Sequence, residues 1–315
     1  MDVDQLAVLR ELRDRGSITA VATATHKSPS AVSQQLRTLQ RQVGTALVEP
    51  HGRGVRLTDA GEALARASVR IAVAIAEAES EWQSFSTGEA GTVTLAIFPS
   101  AAELLLPGLL RRMAAHPAID LEVLDYDVSE DAFAGLTRDA DIVVGHRSDG
   151  GRPAGLAGLV VVPLLREPLD VAVSLDHPLA ERESVTAAEV VRDRWVSVHP
   201  DFPLDRVLMS LSLRAGVEPH IVHRTNHLPL IENLVASGFG IALVPRHTSR
   251  SRAAGRFRLL TLADLRAARH VEALARPERM ARTAVSRLLD ELRAEAAVRA
   301  DVAGVPAVHA DRLAP

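Results

Sequence analysis

The chain has 315 residues, of which 47% are hydrophobic, and a formal net charge of -4 at pH 7. This length and hydrophobic content are enough for at least two globular units. The absence of cysteine excludes disulfides, thiolate zinc sites, iron-sulfur clusters and a cysteine nucleophile. No basic stretch precedes an apolar run at the start and no apolar run reaches membrane-spanning length, so we expect a cytoplasmic protein without membrane contact.

Charge is unevenly distributed along the chain. Residues 1–58 contain eight Lys and Arg against five Asp and Glu, an excess that fits a DNA-binding head on an acidic body. A difference of three also lies within ordinary fluctuation. Composition by itself therefore leaves both interpretations open.

Three short helices are predicted in the first 44 residues. The first two cover residues 4–15 and 18–25, where apolar side chains recur at helical spacing, and they meet at a tight corner. The third follows Ser28, a predicted N-cap, and ends near Gly44. Pro29 then takes the first helical position, where its missing N–H costs nothing.

The third predicted helix has two different faces. At 100° per residue one narrow arc holds the apolar side chains Val32, Leu36, Leu39 and Val43. The opposite arc has no acid and carries Ser30, Ser33, Gln34, Arg37 and Arg41. Such a face is typical of a surface that meets phosphates and base edges, although an ordinary solvated helix remains the alternative. In a helix-turn-helix we expect base contacts from Pro29, Ser30, Ser33 and Gln34, and backbone contacts from Arg37 and Arg41.

A small hairpin is predicted next, with strands over residues 46–49 and 55–57. Gly52 and Gly54 permit a tight turn that carries Arg53 at its tip, and an exposed Arg there suits a narrow minor groove. A surface loop with a solvated Arg is the alternative interpretation.

One long helix should run from Thr58 to about Ser86. Its apolar residues advance as a heptad seam, interrupted by Ser68, through Leu64, Ile71, Ile75, Ala78, Trp82 and Phe85. Such a seam must be buried, either on the chain's own core or against the same helix of a second subunit. We favour the second alternative, which predicts a homodimer.

From residue 91 short apolar strands alternate with helices, which is typical of an α/β layer structure. Two such sets indicate two lobes. The chain is predicted to cross from one lobe to the other at residues 159–163 and 258–261. The predicted organisation is a DNA-binding domain (1–58), a linker and dimerisation helix (59–88), a two-lobed domain (89–298) and a flexible tail (299–315). Lobe I would comprise about 89–161 and 265–298, and lobe II about 162–264.

A cleft between two such lobes is a ligand site in open α/β sheets. The loops pointing there predict effector contacts from Ser100, Ala101, His146, Arg147, His199, Asn226 and His227. Ser100 ends a strand and begins a helix, whose free N–H groups suit a carboxylate, although it also fits a plain N-cap. The basic side chains favour an anionic or amino-acid-like small molecule.

The head and body together resemble one known family. Residues 16–22 (GSITAVA), 28–39 (SPSAVSQQLRTL) and 52–61 (GRGVRLTDAG) resemble the head of LysR-type transcriptional regulators, and 176–180 (DHPLA) and 235–245 (VASGFGIALVP) resemble their sensor domain. The resemblance implies an all-α winged helix-turn-helix head, a long linker helix and a two-lobed α/β effector domain like periplasmic binding proteins.

The same resemblance implies a function and its partners. It implies that Ser30, Ser33 and Gln34 read bases, that Arg53 lies on a wing, and that a homodimer or dimer of dimers binds an inverted repeat in double-stranded promoter DNA. A small-molecule effector would control it, and no cofactor is implied. Three positions depart from the family pattern: Thr25 replaces a packed Leu, Gln40 a usual Glu, and Pro50 a common Arg.

Two rival functions remain less favoured. No Gly-x-Ser-x-Gly, Walker or Gly-x-Gly-x-x-Gly motif supports a hydrolase or other enzyme. His220, His223 and His227 invite a metal interpretation, but a strand followed by a loop separates them and no acid accompanies them, so no metal is expected. A two-lobed solute-binding module without DNA binding would need a signal peptide and no such head.

Overall fold

The computed structural model describes residues 1–52, 54–87, 90–148, 155–200 and 202–301. Two compact units divide the chain, one formed by residues 1–88 with 277–283 and the other by 89–276 with the residues from 284 onward. No helix in the described ranges has the length and apolarity that a membrane span needs.

The first unit consists of helices and one hairpin. In chain order these are α1 (Val3–Arg15), α2 (Ile18–Ala24), α3 (Pro29–Val43), β1 (Val48–His51), β2 (Gly54–Leu57) and α4 (Asp59–Thr87). The side chains of Asp2, Ser17 and Ser28 cap the first three helices by accepting backbone N–H groups, which satisfies donors that a helix start leaves free. Gly16 and Gly44 end α1 and α3 with φ of 69° and 70°, a conformation that glycine adopts without strain. The three predicted helices are confirmed.

A small core holds these helices together. Its buried side chains include Leu9 and Leu12 of α1, Val21 of α2, and Val32 and Leu39 of α3. Burying each contributes roughly 1.5–3 kcal/mol. The predicted apolar arc of α3 is therefore the buried one, and its polar arc is left facing solvent.

Helix α4 begins where the sequence predicts. The Oγ1 of Thr58 accepts the backbone N–H of Gly61 at 3.1 Å, so Thr58 caps the helix start. Ser68, which interrupts the heptad seam, is buried and donates its hydroxyl to the carbonyl of Ala65. Arg10 of α1 donates to the Ser68 carbonyl at 3.2 Å. This part of α4 therefore packs on the head.

Farther along α4 the seam is uncovered within this chain. Ile71 is 40% exposed, Trp82 69% and Phe85 84%. Another side of the helix contacts residues 277–280 of the same unit, and the hydroxyls of Ser80 and Thr283 lie 2.6 Å apart there. Own-chain packing thus covers one side of α4 and leaves Ile71, Trp82 and Phe85 exposed to solvent.

The second unit is α/β, as predicted. Its strands are β3 (Gly91–Ile97), β4 (Ile119–Asp125), β5 (Ile142–Ser148), β6 (Val160–Ser174), β7 (Ser184–Val185), β8 (Arg194–Ser197), β9 (His220–Arg224), β10 (Ala242–Pro245), β11 (Phe257–Leu262) and β12 (Ala268–Ala275). Its helices are α5 (Pro99–Met113), α6 (Phe133–Leu136), α7 (Ala187–Val190), α8 (Pro203–Ala215), α9 (Leu228–Ala236) and α10 (Arg246–Ala253). A short helix of the first unit, α11 (Pro277–Met280), precedes α12 (Thr283–Asp301), and a 3-10 turn covers Glu130–Ala132.

The main sheet has the order β4-β3-β5-β12-β6-β11-β7, and β10 also pairs with β6. β3 runs parallel to β4 and to β5, as expected of crossover connections. β8 and β9 form a separate parallel pair. We call the part around β3–β5 and β12 lobe I, and the part around β7–β11 lobe II.

Strand β6 passes through both lobes. Residues 160–168 pair with β12, and residues 169–174 pair with β10 and β11. The first crossing is therefore at Pro168–Leu169 and not at 159–163, because one unbroken strand joins the lobes. The second predicted crossing, 258–261, is also wrong: it lies inside β11, and the chain returns to lobe I between β11 and β12.

The C-terminal helix α12 runs to Asp301, past the predicted start of the tail at residue 299. The predicted flexible tail therefore begins inside a helix, and its remainder, 302–315, lies outside the described residues.

Candidate DNA-binding surface and effector cavity

The predicted DNA-reading residues share one exposed face at the start of α3. Pro29, Ser30 and Gln34 are exposed and Ser33 is half-buried. The Ser33 hydroxyl donates to the Pro29 carbonyl at 2.9 Å, and the Ser30 hydroxyl lies 2.9 Å from that of Ser28. A hydroxyl in such a local bond keeps acceptor capacity toward a ligand.

The two predicted phosphate-binding arginines lie on the same face. Arg37 and Arg41 are exposed, and with Gln34 they border an open groove beside the start of the hairpin. Within the described residues Arg37 has no ion-pair partner, and Arg41 donates only to the hydroxyl of Thr38. Both guanidinium groups are therefore available to an anion.

Gln40 has a role that the sequence did not reveal. Its side-chain oxygen accepts the backbone N–H groups of Leu47 at 2.8 Å and Val48 at 3.1 Å. The amide thereby fixes the end of α3 to the start of β1. Since a carboxylate oxygen accepts the same two bonds, the departure from the usual Glu preserves this contact.

The hairpin has the predicted antiparallel form. Val48 pairs with Leu57 and His51 with Gly54. Pro50, which lacks a backbone N–H, is accommodated because the hairpin has only two strands. Arg53, the predicted wing-tip residue, lies outside the described residues.

A cavity of about 210 Å³ lies between lobe I and lobe II. Its walls are mostly apolar. They are formed by Phe98, Pro99, Ser100, Glu103, Asp127, His146, Val198, Phe202, Pro203, Leu204, Asn226, His227, Leu228, Pro229, Ile231, Pro245 and Arg269. Since a water molecule occupies about 30 Å³ in the liquid, the space holds about seven waters or one small ligand.

Four of the predicted effector residues lie on this cavity, namely Ser100, His146, Asn226 and His227. The other three do not line it. Ala101 is buried in the first turn of α5. Arg147 turns to the neighbouring strand, where it donates to Glu272 at 2.8 Å. His199 is exposed, and its backbone N–H donates to the side-chain oxygen of Asn226 at 3.0 Å.

Arg269 is a cavity residue that the sequence did not indicate. Its Nη2 lies 2.7 Å from Oε2 of Glu167, and its Nη1 donates to the Ser100 hydroxyl at 2.9 Å. Glu167 is fully buried, and its other oxygen accepts both the N–H and the hydroxyl of Thr248 at 2.8 Å. Only the sheet register brings these distant residues together, so no local pattern marks them.

His146 is buried among aromatic rings at one wall. Its ring centroid is 4.6 Å from that of Phe98 and 4.9 Å from that of Phe133, both edge-to-face. Burial, together with the nearby charge of Arg269, lowers the pKa of His146 to about 3. The imidazole is therefore neutral at pH 7, and its Nδ1 has no hydrogen-bond partner among the described residues.

Polar pairs connect the lobes around the cavity. Asp127 of lobe I bonds the side chain of Asn226 of lobe II, and burial raises the pKa of Asp127. Arg252 of α10 pairs with Glu103 of α5 and, at 2.6 Å, with Glu232 of α9. The Asp127–Asn226 and Arg252–Glu103 pairs therefore link the two lobes beside the cavity.

Among the described residues no group of three or more His, Cys, Asp or Glu side chains is placed to hold a metal ion. His220 and His223 lie on β9, whereas His227 immediately precedes α9 and borders the cavity. The three histidines that suggested a metal are thus divided between a strand and a helix start.

Comparison with known proteins identifies the family. Residues 86–297 match the LysR substrate binding domain, and residues 3–62 match the bacterial regulatory helix-turn-helix protein, lysR family. The chain therefore belongs to the LysR family of transcriptional regulators, which combine a DNA-binding head with an effector-binding domain. It is a family of regulators and not of enzymes.

Individual relatives agree with this assignment. The chain is 28% identical over 247 residues to a probable nitrogen assimilation transcriptional activator of Synechococcus elongatus, covering 78% of this chain and 79% of the relative. It is 25% identical over 249 residues to the transcriptional dual regulator GltC of Bacillus subtilis, covering 79% and 82%.

Solved structures share the fold. ArgP from Mycobacterium tuberculosis matches with a TM-score of 0.61 at 23% identity, covering 94% of this chain and 97% of that one. CbnR in complex with its target DNA matches with a TM-score of 0.52 at 20% identity, covering 94% and 100%. An OxyR mutant from Corynebacterium glutamicum with bound H2O2 matches with a TM-score of 0.56 at 21% identity, covering 99% and 98%.

Proposed function

We propose that this regulator places the start of α3 in the major groove of a promoter site in the cytoplasm. Pro29, Ser30, Ser33 and Gln34 then face base edges, while Arg37 and Arg41 contact phosphates. The observation that carries this proposal is the acid-free exposed face of α3, whose guanidinium groups are available to an anion. Arg53 on the hairpin adds a minor-groove contact.

The regulator acts as a homodimer or a dimer of dimers through α4. Trp82 and Phe85 are large and exposed, and their tilted rings have centroids 5.9 Å apart. Their heptad spacing suits the same helix of a second copy. A two-fold pair of heads then reads an inverted repeat, because symmetric protein surfaces meet symmetric half-sites.

The inter-lobe cavity holds the small-molecule effector. It is concave and mostly apolar, with a few polar groups, which is the usual character of a ligand site. Effector binding shifts the equilibrium between two arrangements of the lobes and thereby changes DNA affinity. Only an effector that binds the two arrangements with different affinity has this effect.

Selection from genomic DNA tests the DNA-binding proposal without assuming a target. The full-length protein is mixed with sheared DNA of its own genome, bound fragments are sequenced, and affinity for an enriched fragment is measured between 50 and 200 mM salt. We expect a shared inverted-repeat motif, bound roughly 1,000-fold or more tightly than a scrambled duplex. Uniform recovery of fragments without a common motif contradicts the proposal.

A further inference from the structure

The guanidinium group of Arg269 lines the cavity, and a carboxylate already balances its charge. Arg269 is only 4% exposed and Glu167 is fully buried, and their 2.7 Å contact balances the two charges. Two further donors of Arg269 go to hydroxyls, to Ser100 at 2.9 Å and to Thr248 at 3.4 Å. An incoming carboxylate therefore meets a compensated pair and has to compete with Glu167 for the guanidinium.

The start of α5 offers little to an anion either. Pro99 is its first residue and has no N–H. The amides of Ala101 and Ala102 are used internally, since both donate to the Phe98 carbonyl at 3.0 Å. The helix start that the sequence suggested as a carboxylate site thus has few free donors.

Two carboxyl groups make the cavity wall unfavourable to negative charge. Glu103 and Asp127 both line it. Glu103 is balanced by Arg252, whereas Asp127 has only the amide of Asn226 and the nearby His199. Of the basic residues that suggested an anionic effector, Arg147 and His199 do not line the cavity. Of the two that do, His146 is neutral at pH 7 and His227 is an exposed residue just before α9.

The groups that remain free are neutral hydrogen-bonding groups. The Ser100 oxygen accepts from Arg269, so its own hydrogen is left to donate. His146, 7% exposed, is a neutral imidazole with one donor and one acceptor nitrogen, and its Nδ1 is unpartnered among the described residues. Around them stand apolar side chains such as Phe98 and Phe202.

We infer that the effector is a small uncharged molecule with an apolar, ring-sized body, held by hydrogen bonds to Ser100 and His146 and not by an ion pair. This inference rests on the proposed function of the cavity as the effector site. The apolar walls bind the ring, and the hydroxyl and the imidazole bind one polar substituent. A carboxylate or zwitterion of the same shape binds less well, since the guanidinium of Arg269 is already paired with Glu167 and Asp127 lies on the same wall.

Pairs of aromatic compounds that differ only in charge test this inference. Binding of benzamide and benzoate, and of nicotinamide and nicotinate, is measured by ligand-observed NMR on the full-length protein at pH 7.5. We expect each uncharged member to bind at least tenfold more tightly than its charged counterpart. His146→Phe, which keeps the ring packing but removes both nitrogens, should weaken the uncharged members about tenfold.

A charge-switch variant provides an internal control. Glu167→Gln removes the counter-charge of Arg269. The ratio of the affinity for benzoate to that for benzamide, and of nicotinate to nicotinamide, should therefore rise at least tenfold. If this variant does not fold, Asp127→Asn, at a half-buried position, is measured in its place. It should raise the same affinity ratios by a smaller factor. Tighter binding of the acids to the unaltered protein, lost in His146→Phe, overturns the inference but keeps the cavity as the effector site. If no compound binds in a way that depends on His146, both the inference and the assignment of the cavity as the effector site are overturned.

Discussion

Arg269 and Glu167 stand opposite each other on neighbouring strands, β12 and β6, and form a buried ion pair with an Nη2–Oε2 distance of 2.7 Å. Glu167 lies one residue before Pro168, where β6 passes from lobe I to lobe II. The pair therefore joins two strands at the crossing, and Arg269 also forms part of the cavity wall.

Removing one partner of this pair should be costly. Glu167→Ala leaves Arg269 buried without its counter-charge, and we expect a loss of about 3–5 kcal/mol in the free energy of unfolding. Urea unfolding followed by the fluorescence of Trp195, which is fully buried in lobe II, measures it in a Trp82→Phe background. Arg182→Ala, which breaks an exposed pair, is the control and should cost less than about 1 kcal/mol. Equal losses for the two variants contradict the prediction.

Gln40 should matter to the head through its acceptor oxygen. Gln40→Ala leaves the amides of Leu47 and Val48 without their partner, which should destabilise the head by about 1–3 kcal/mol. Gln40→Glu keeps an acceptor and should retain most of the stability. Amide hydrogen exchange at Leu47 and Val48 is the measurement, with Gln42→Ala at an exposed neighbour as the control. Unchanged protection in Gln40→Ala shows that the contact is unimportant.

The exposed seam of α4 should control assembly. Trp82→Glu combined with Phe85→Glu places charge in a packed interface between two copies, so we expect the protein to become monomeric at micromolar concentration. Sedimentation equilibrium gives the mass. The matched control, Glu79→Gln with Glu81→Gln, changes exposed residues of the same helix outside the predicted seam and should remain oligomeric. A seam variant that keeps the oligomeric mass excludes α4 as the interface.

Stability should depend on pH through His146. Its pKa falls from 6.5 to about 3 on folding, so between these values the unfolded chain binds a proton that the folded protein does not. Stability is therefore lost as pH falls below 6.5, by up to about 1.4 kcal/mol per pH unit. Comparing urea midpoints at pH 7 and 5 for the unaltered protein, His146→Phe and the exposed control His223→Phe checks this. His146→Phe should reduce the pH dependence, and an undiminished dependence in that variant rules His146 out as its source.

The sequence predicted the elements whose causes are local. The Ser28 cap, the Pro29 start and the Gly44 end of α3 act within a few residues, and so does the spacing that buries Leu36. The heptad spacing of α4 is similarly local. Periodicity and capping therefore located the head and the long helix well.

Contacts across the sheet could not be predicted in this way. Arg269 and Glu167 are 102 residues apart, and their strands otherwise consist largely of apolar residues. Arg147 has the residue type expected of a ligand site, but its position on β5 pairs it with Glu272 of β12. Strand register decides which side chains meet, and a single sequence does not contain that register in local form.

The central claim is that the exposed face of α3 reads DNA, and one measurement tests it most directly. Affinity for an enriched genomic fragment is compared for the unaltered protein, for Gln34→Ala with Arg37→Ala, and for Arg111→Ala, which removes one exposed charge from α5. We expect the affinity of the double variant to fall about 10- to 100-fold. The slope of log affinity against log salt concentration should become shallower by about 1. The affinity of Arg111→Ala should stay within about twofold of that of the unaltered protein. Full sequence-selective affinity in the double variant would contradict the claim.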